Sequence, residues 1–134
     1  MAARILIVED NPANLDLAKY LLEHAGYAVL LAHDGAEGVA VAMRERPDLV
    51  VCDLQMPVMD GFEVLRTLRG ETSFGSKPVI AVTAFSMSGD QAAALAAGFD
   101  GYLSKPIEPE KFVAQIEAFL APPLVAQRRP PPVD

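Results

Sequence analysis

The sequence predicts an α/β fold, a doubly wound parallel sheet of five strands carrying five helices. Apolar runs of four to six residues alternate with longer segments of helical period, the pattern left by crossover connections between parallel strands. The runs are mostly apolar throughout rather than alternating, as strands covered on both faces require. At 134 residues and 51% hydrophobic, the chain suits one domain that buries its own core without disulfides or a structural metal.

The first strand is expected over residues 4–8. Asn11-Pro12 then opens a helix, because proline suits the first helical position, and Leu15, Ala18, Leu22 and Ala25 recur at helical spacing before Gly26, a stop signal. The same reading gives a second strand at 28–32, a helix at 35–46, a third strand at 49–52 and a helix at 62–68. The polar loop 70–77 ends at Pro78, which biases its predecessor away from helix, and the fourth strand follows at 79–82. A helix at 90–97, a strand at 101–103 and a helix at 109–120 complete the set. The domain is thus expected over 1–120. Residues 121–134 are proline-rich, unsuited to regular helix or strand, and read as a disordered tail of extended polyproline character. Arg128-Arg129-Pro130-Pro131-Pro132 within it has the composition of a docking peptide, the alternative to a plain disordered end.

A net charge of −7 argues against direct nucleic-acid binding, which needs clustered Lys or Arg to displace counterions. No apolar stretch approaches the roughly 18 residues that span a bilayer, so no membrane segment is expected. The single Cys52 excludes an internal disulfide and is consistent with a reducing compartment; a soluble, cytoplasmic protein is the expectation.

In a doubly wound sheet, ligands sit outside the carboxyl ends of the strands. Glu9, Asp10, Asp53, Thr83 and Lys105 all map to that edge. Taken singly, each has an ordinary explanation: helix capping for Glu9 and Asp10, turn formation for Asp53, a strand-end hydroxyl for Thr83, a solvated charge for Lys105. Together they crowd carboxylates that a cation must compensate. Magnesium fits best, taking one or two carboxylates such as Asp10 and Asp53, several waters and a phosphoryl oxygen. A calcium loop pattern is missing, and His24 and His33 lack the partners a zinc site needs. Asp53 can then act as nucleophile toward a phosphoryl group, with Lys105 and Thr83 on the phosphoryl oxygens and Glu9 on a metal-bound water. Cys52, by strand alternation, points to the opposite face and reads as core.

At these residues the chain resembles the receiver domain of bacterial response regulators, over about residues 4–120. The likeness rests on Val8-Glu9-Asp10-Asn11, the segment from Asp53 through Met56-Pro57 to Asp60-Gly61, Thr83-Ala84 and Lys105-Pro106. It implies a flavodoxin-like strand order 2-1-3-4-5. It implies phosphorylation of Asp53 by a sensor histidine kinase or a histidine phosphotransfer protein, with magnesium as cofactor and manganese able to substitute. The metal ligands would be Asp10, Asp53 and the backbone carbonyl of Gln55. Thr83 and Tyr102 match the family's switch pair, Gln55 and Phe85 its positions for tuning phosphoryl lifetime, and Lys105-Pro106 a peptide bond that is usually cis. Small Ala84 leaves the approach to Asp53 open. Phe85, Ser86, Met87, Ser88 and Tyr102 lie on the face expected to report the phosphorylation state to partners.

The expected function is a stand-alone phospho-receiver signalling through protein contacts, since Met1 begins close to the first strand and the tail leaves no room for an output domain. It is not an enzyme beyond its own phosphoryl uptake and loss. The runner-up is a phosphorelay intermediate that passes phosphate to a phosphotransfer protein. Thr83-Ala84-Phe85-Ser86-Met87 is also similar to stand-alone receivers controlling cell-cycle kinases, which adds a regulated kinase to the expected partners. A magnesium-dependent aspartyl-phosphate phosphatase would carry an acid-base Asp where Gln55 stands, and a scaffold that is never phosphorylated would not need the full set of site residues.

Overall fold

The computed structural model describes residues 3–84 and 88–126, with the backbone alone for 88–90. Strands and helices alternate: β1 (Arg4–Val8), α1 (Pro12–His24), β2 (Ala28–Ala32), α2 (Gly35–Glu45), β3 (Leu49–Asp53), α3 (Gly61–Arg69), β4 (Val79–Thr83), α4 (Ser88–Ala97), β5 (Gly101–Ser104) and α5 (Phe112–Glu117). The sheet is parallel, in the order β2-β1-β3-β4-β5. This is the doubly wound arrangement expected from the sequence, with its strand order.

Alternation along the strands divides the core into two layers. Leu6, Val8, Val50, Cys52 and Ala81 face Val41, Val64, Leu65 and Leu68 of α2 and α3. Ile5, Ile7, Leu49, Val51, Ile80 and Val82 face Leu15, Ala18 and Leu22 of α1 and Phe112 and Ile116 of α5. Strands β3 and β4 are buried along their whole length, while the edge strand β2 is partly exposed. Gly38 brings α2 close to the sheet, since a Cβ there would lie 2.8 Å from Val8 Cγ2.

The starts of α1, α2 and α3 are capped by the residues that end the preceding turns. Asn11 Oδ1 accepts from the backbone N–H groups of Ala13 and Asn14, Asp34 from Glu37, and Asp60 from Glu63. The capping role considered for Glu9 and Asp10 therefore belongs to Asn11.

The structure departs from expectation at several ends. Asp53, Thr83 and Ser104 are the last residues of β3, β4 and β5, one beyond the expected limits, and α4 begins two residues early. Helix α5 is shorter than 109–120. The residues before it form a turn around the Glu108 carbonyl, and Phe119 and Leu120 tighten into three-residue turns. The segment after Leu120 also contains regular structure: Pro122–Leu124 form a 3₁₀ turn, and Leu124, Val125 and Ala126 pack on the second core layer. The fastening is polar. Ala126 N–H donates to Tyr27 Oη (3.0 Å), which donates to Glu117 Oε2 (2.5 Å). The Arg128 to Pro132 segment lies outside the described residues.

Candidate functional site

The carboxyl ends of β1 and β3 deliver Glu9 and Asp53 side by side, and the turn after β5 delivers Lys105 between them. Lys105 Nζ lies 2.7 Å from Glu9 Oε1 and 3.0 Å from Asp53 Oδ2. All three are largely buried, with side chains 15% (Lys105), 6% (Glu9) and 5% (Asp53) exposed. Buried ion pairs hold only when their remaining hydrogen-bonding capacity is met. Here Glu9 Oε2 accepts from Asn11 N–H (3.2 Å) and Asp53 Oδ1 from Gln55 N–H (3.0 Å).

One ammonium faces two carboxylates, and the exposed Asp10 adds a third: an oxygen from each of Glu9, Asp10 and Asp53 lies within 4.8 Å of the others. Burial pushes the Glu9 carboxyl up to about 7, with Lys105 opposing and Asp53 reinforcing the rise. Burial acts to lower Lys105, but its hydrogen bonds to Glu9 and Asp53 outweigh it and hold the ammonium above its ordinary range. An all-oxygen, net-negative cluster could hold a divalent cation, and its donors suit a hard one better than zinc.

The loop between β3 and α3 folds tightly back on the site. Val58 takes φ 71°, uncommon for a β-branched residue, in a turn where Met59 N–H meets Pro57 O (2.8 Å). Gly61 N–H then donates to Leu54 O, and a Cβ on Gly61 would sit 2.6 Å from Asp53 O. The Lys105-Pro106 peptide is cis. Asp10, Asn11, Asn14, Gln55, Ala84 and Lys105 wall a cavity of about 440 Å³ over Asp53.

The site residues read from the sequence do not all meet in that cavity. Asp10, Asp53 and Lys105 converge there with Gln55, and Glu9 joins them through its ion pair with Lys105. Thr83 lines a neighbouring cavity of about 550 Å³, with Gln55, Met56, Pro57, Phe62 and Ala93. It is fully buried at the end of β4, on the sheet face opposite Asp53, because Asp53 registers with Val82. Tyr102 registers with Ala81 and packs on the same layer as Thr83. Cys52 is wholly buried, and burial pushes its thiol up. Phe85, Ser86 and Met87 lie outside the described residues, as does the Ser88 side chain. Asn14, in the cavity wall, escaped the sequence reading; its trace there is an Asn at the third position of a helix, where Glu or Gln favours capping.

The response regulator receiver domain model matches residues 5–117. The chain belongs to the response regulator receiver family. This receiver is 38% identical over 120 residues to the polar-differentiation response regulator DivK of Brucella anthropi, covering 90% of the chain and 98% of that protein. Its fold superposes on chemotaxis protein CheY4 of Vibrio cholerae with a TM-score of 0.85 at 31% identity, covering 90% and 100% of the two chains. The receiver domain of sensor histidine kinase PA1611 from Pseudomonas aeruginosa gives a TM-score of 0.81 at 34% identity, covering 89% and 98%, and that structure carries a magnesium ion coordinated in its active-site cleft. The receiver thus has a place in two-component signalling. Among its described residues no helix is long and apolar enough to cross a membrane.

Proposed function

We propose that Asp53 accepts a phosphoryl group from a phosphohistidine on a sensor histidine kinase or histidine phosphotransfer protein, and that the phosphorylated receiver signals through protein contacts. The observation that carries this reading is Lys105 bridging Glu9 and Asp53, beside Asp10, where Asp53 and Lys105 line the cavity. An Asp53 oxygen attacks phosphorus; the P–O bond forms as the P–N bond breaks, and the imidazole leaves with its electron pair. Lys105 stabilises the charge on the phosphoryl oxygens. The Gln55 N–H holds Asp53 Oδ1 and fixes the carboxylate plane. Asp10, Asp53 and the Gln55 carbonyl would hold magnesium, or manganese, with Glu9 through a water, and the ion would supply positive charge where two anions approach.

Thr83 and Tyr102 share a sheet face next to the site, which suits them to a switch in which the hydroxyl turns toward the phosphoryl group and the ring turns inward. Gln55, in the cavity wall beside Asp53, would tune hydrolysis.

The test is intact-mass measurement after incubation with acetyl phosphate and magnesium. Wild type should gain one phosphoryl adduct, lost with Asp53→Asn or with chelator; an adduct that persists in Asp53→Asn would overturn the assignment.

A further inference from the structure

The cavity over Asp53 has a polar wall residue whose side chain neither the proposed chemistry nor the helix cap uses. Asn14 stands at the third position of α1, half-buried, and lines the cavity together with Asp53, Asp10 and Lys105. It also borders the small gap between α1 and the sheet, which Glu9, Asp53 and Ile107 line as well.

Its presence is not explained by the helix. Asn is a poor interior helix former, and its normal use here would be to reach back to the backbone N–H of the N-cap residue. That N–H, on Asn11, is given to Glu9 Oε2 instead. The N-cap side chain satisfies the backbone N–H groups of Ala13 and Asn14, so capping consumes nothing of the Asn14 carboxamide. Among the described residues the Asn14 side chain has no hydrogen-bond partner. Asn11, the other carboxamide on this wall, has its Oδ1 atom committed to the cap.

In-line transfer sends the leaving group away from Asp53, outward through the cavity. We infer that Asn14 contacts the phosphodonor, its carboxamide hydrogen-bonding the leaving group as the bond to phosphorus breaks. The inference rests on the receiver reading above. A carboxamide offers both an N–H donor and a C=O acceptor. An amine leaving group presents N–H, which the Oδ1 atom accepts; a departing carboxylate, or an imidazole nitrogen leaving with its electron pair, takes a hydrogen bond from the Nδ2–H₂ group. Asn14 therefore serves both kinds of donor, and an acidic residue there would serve only the first.

The experiment measures the rate of phosphoryl uptake with magnesium from phosphoramidate, which releases ammonia, and from acetyl phosphate, which releases acetate. Wild type, Asn14→Leu and Asn14→Asp are compared, each with its thermal melt. Loss of one hydrogen bond in the transition state should slow Asn14→Leu about five- to tenfold with both donors. Asn14→Asp should slow acetyl phosphate several-fold more than phosphoramidate, a change of ratio that a purely structural role would not produce. Uptake by Asn14→Leu within twofold of wild type, or an unchanged donor ratio in Asn14→Asp, would overturn the inference and leave the receiver reading standing. Failure of wild type to take up phosphate from either donor would sink both.

Discussion

The two ends of the sheet handle charge in opposite ways. At the amino ends of the strands, cations and anions are matched and partly wet: Arg4 pairs with Glu45, Arg69 with Asp100, and Asp48 and Asp100 each accept the first backbone N–H of a neighbouring strand. Side chains of the Arg4 pair are 38% and 34% exposed, the range in which ion pairs contribute about 1 kcal/mol or less. At the carboxyl ends, Glu9 and Asp53 share one ammonium in a nearly dry setting, with Asp10 adding unmatched charge. The first end closes the fold. The second holds charge that a cation and a phosphoryl group would complete, at some cost to stability.

Removing Lys105 should expose that difference most sharply. Lys105→Met leaves two buried carboxylates without their ammonium, and breaking such a pair costs about 3–5 kcal/mol. Urea unfolding in chelator should show a loss of that order at neutral pH, with magnesium recovering part of it; a loss under about 1 kcal/mol would place this cluster with the surface pairs.

A smaller contrast comes from two glycines. A Cβ on Gly61 meets backbone, Asp53 O at 2.6 Å and Leu54 Cα at 2.9 Å, whereas on Gly101 it meets the Phe119 ring at 2.3 Å. Both Gly61→Ala and Gly101→Ala should cost about 1–3 kcal/mol by overpacking. Only Gly61→Ala should also slow phosphoryl uptake, because the obstacle is the main chain that holds Asp53. Equal uptake by the two variants would show that the loop can shift without moving the carboxylate.

The smallest effect is expected at the far end. Tyr27→Phe removes the hydroxyl that joins Ala126 to Glu117, for about 1–2 kcal/mol in urea unfolding. The Ala126 amide should exchange faster with deuterium, while uptake at Asp53 stays at the wild-type rate. Slowed uptake would mean that the two ends are coupled through α5.

Much of this was legible in the chain. Runs such as Leu49-Val50-Val51-Cys52 have no alternative to a doubly covered strand, and a parallel sheet puts their carboxyl ends in one place, so Asp53, Glu9 and Lys105 could be grouped before any geometry was known. What could not be read were contacts between distant segments. The proline-rich composition after Leu120 argued for a loose tail, but Tyr27, ninety-nine residues before Ala126, supplies the partner that orders its first turn. Likewise Asn14 leaves only a faint trace, an Asn at the third position of a helix, until α1 is laid against the sheet and the residue is found in the wall of the cavity that holds Asp53. Helix capping, the ordinary explanation weighed for Glu9 and Asp10, falls to Asn11 for a local reason: three polar residues precede Pro12, and the backbone angles and side-chain hydrogen bonds of Asn11 select it.

Cys52, the sole thiol of the chain, points from β3 into the core layer beneath α2 and α3, directly before Asp53, fully enclosed and held in its neutral form. An alkylating reagent can therefore reach it only when the core around β3 opens. The protein carries a built-in chemical clock: the rate of Cys52 labelling reports how often that part of the molecule breathes, and its slowing on phosphorylation would measure, without any added probe, how far the modification tightens the strand beneath it.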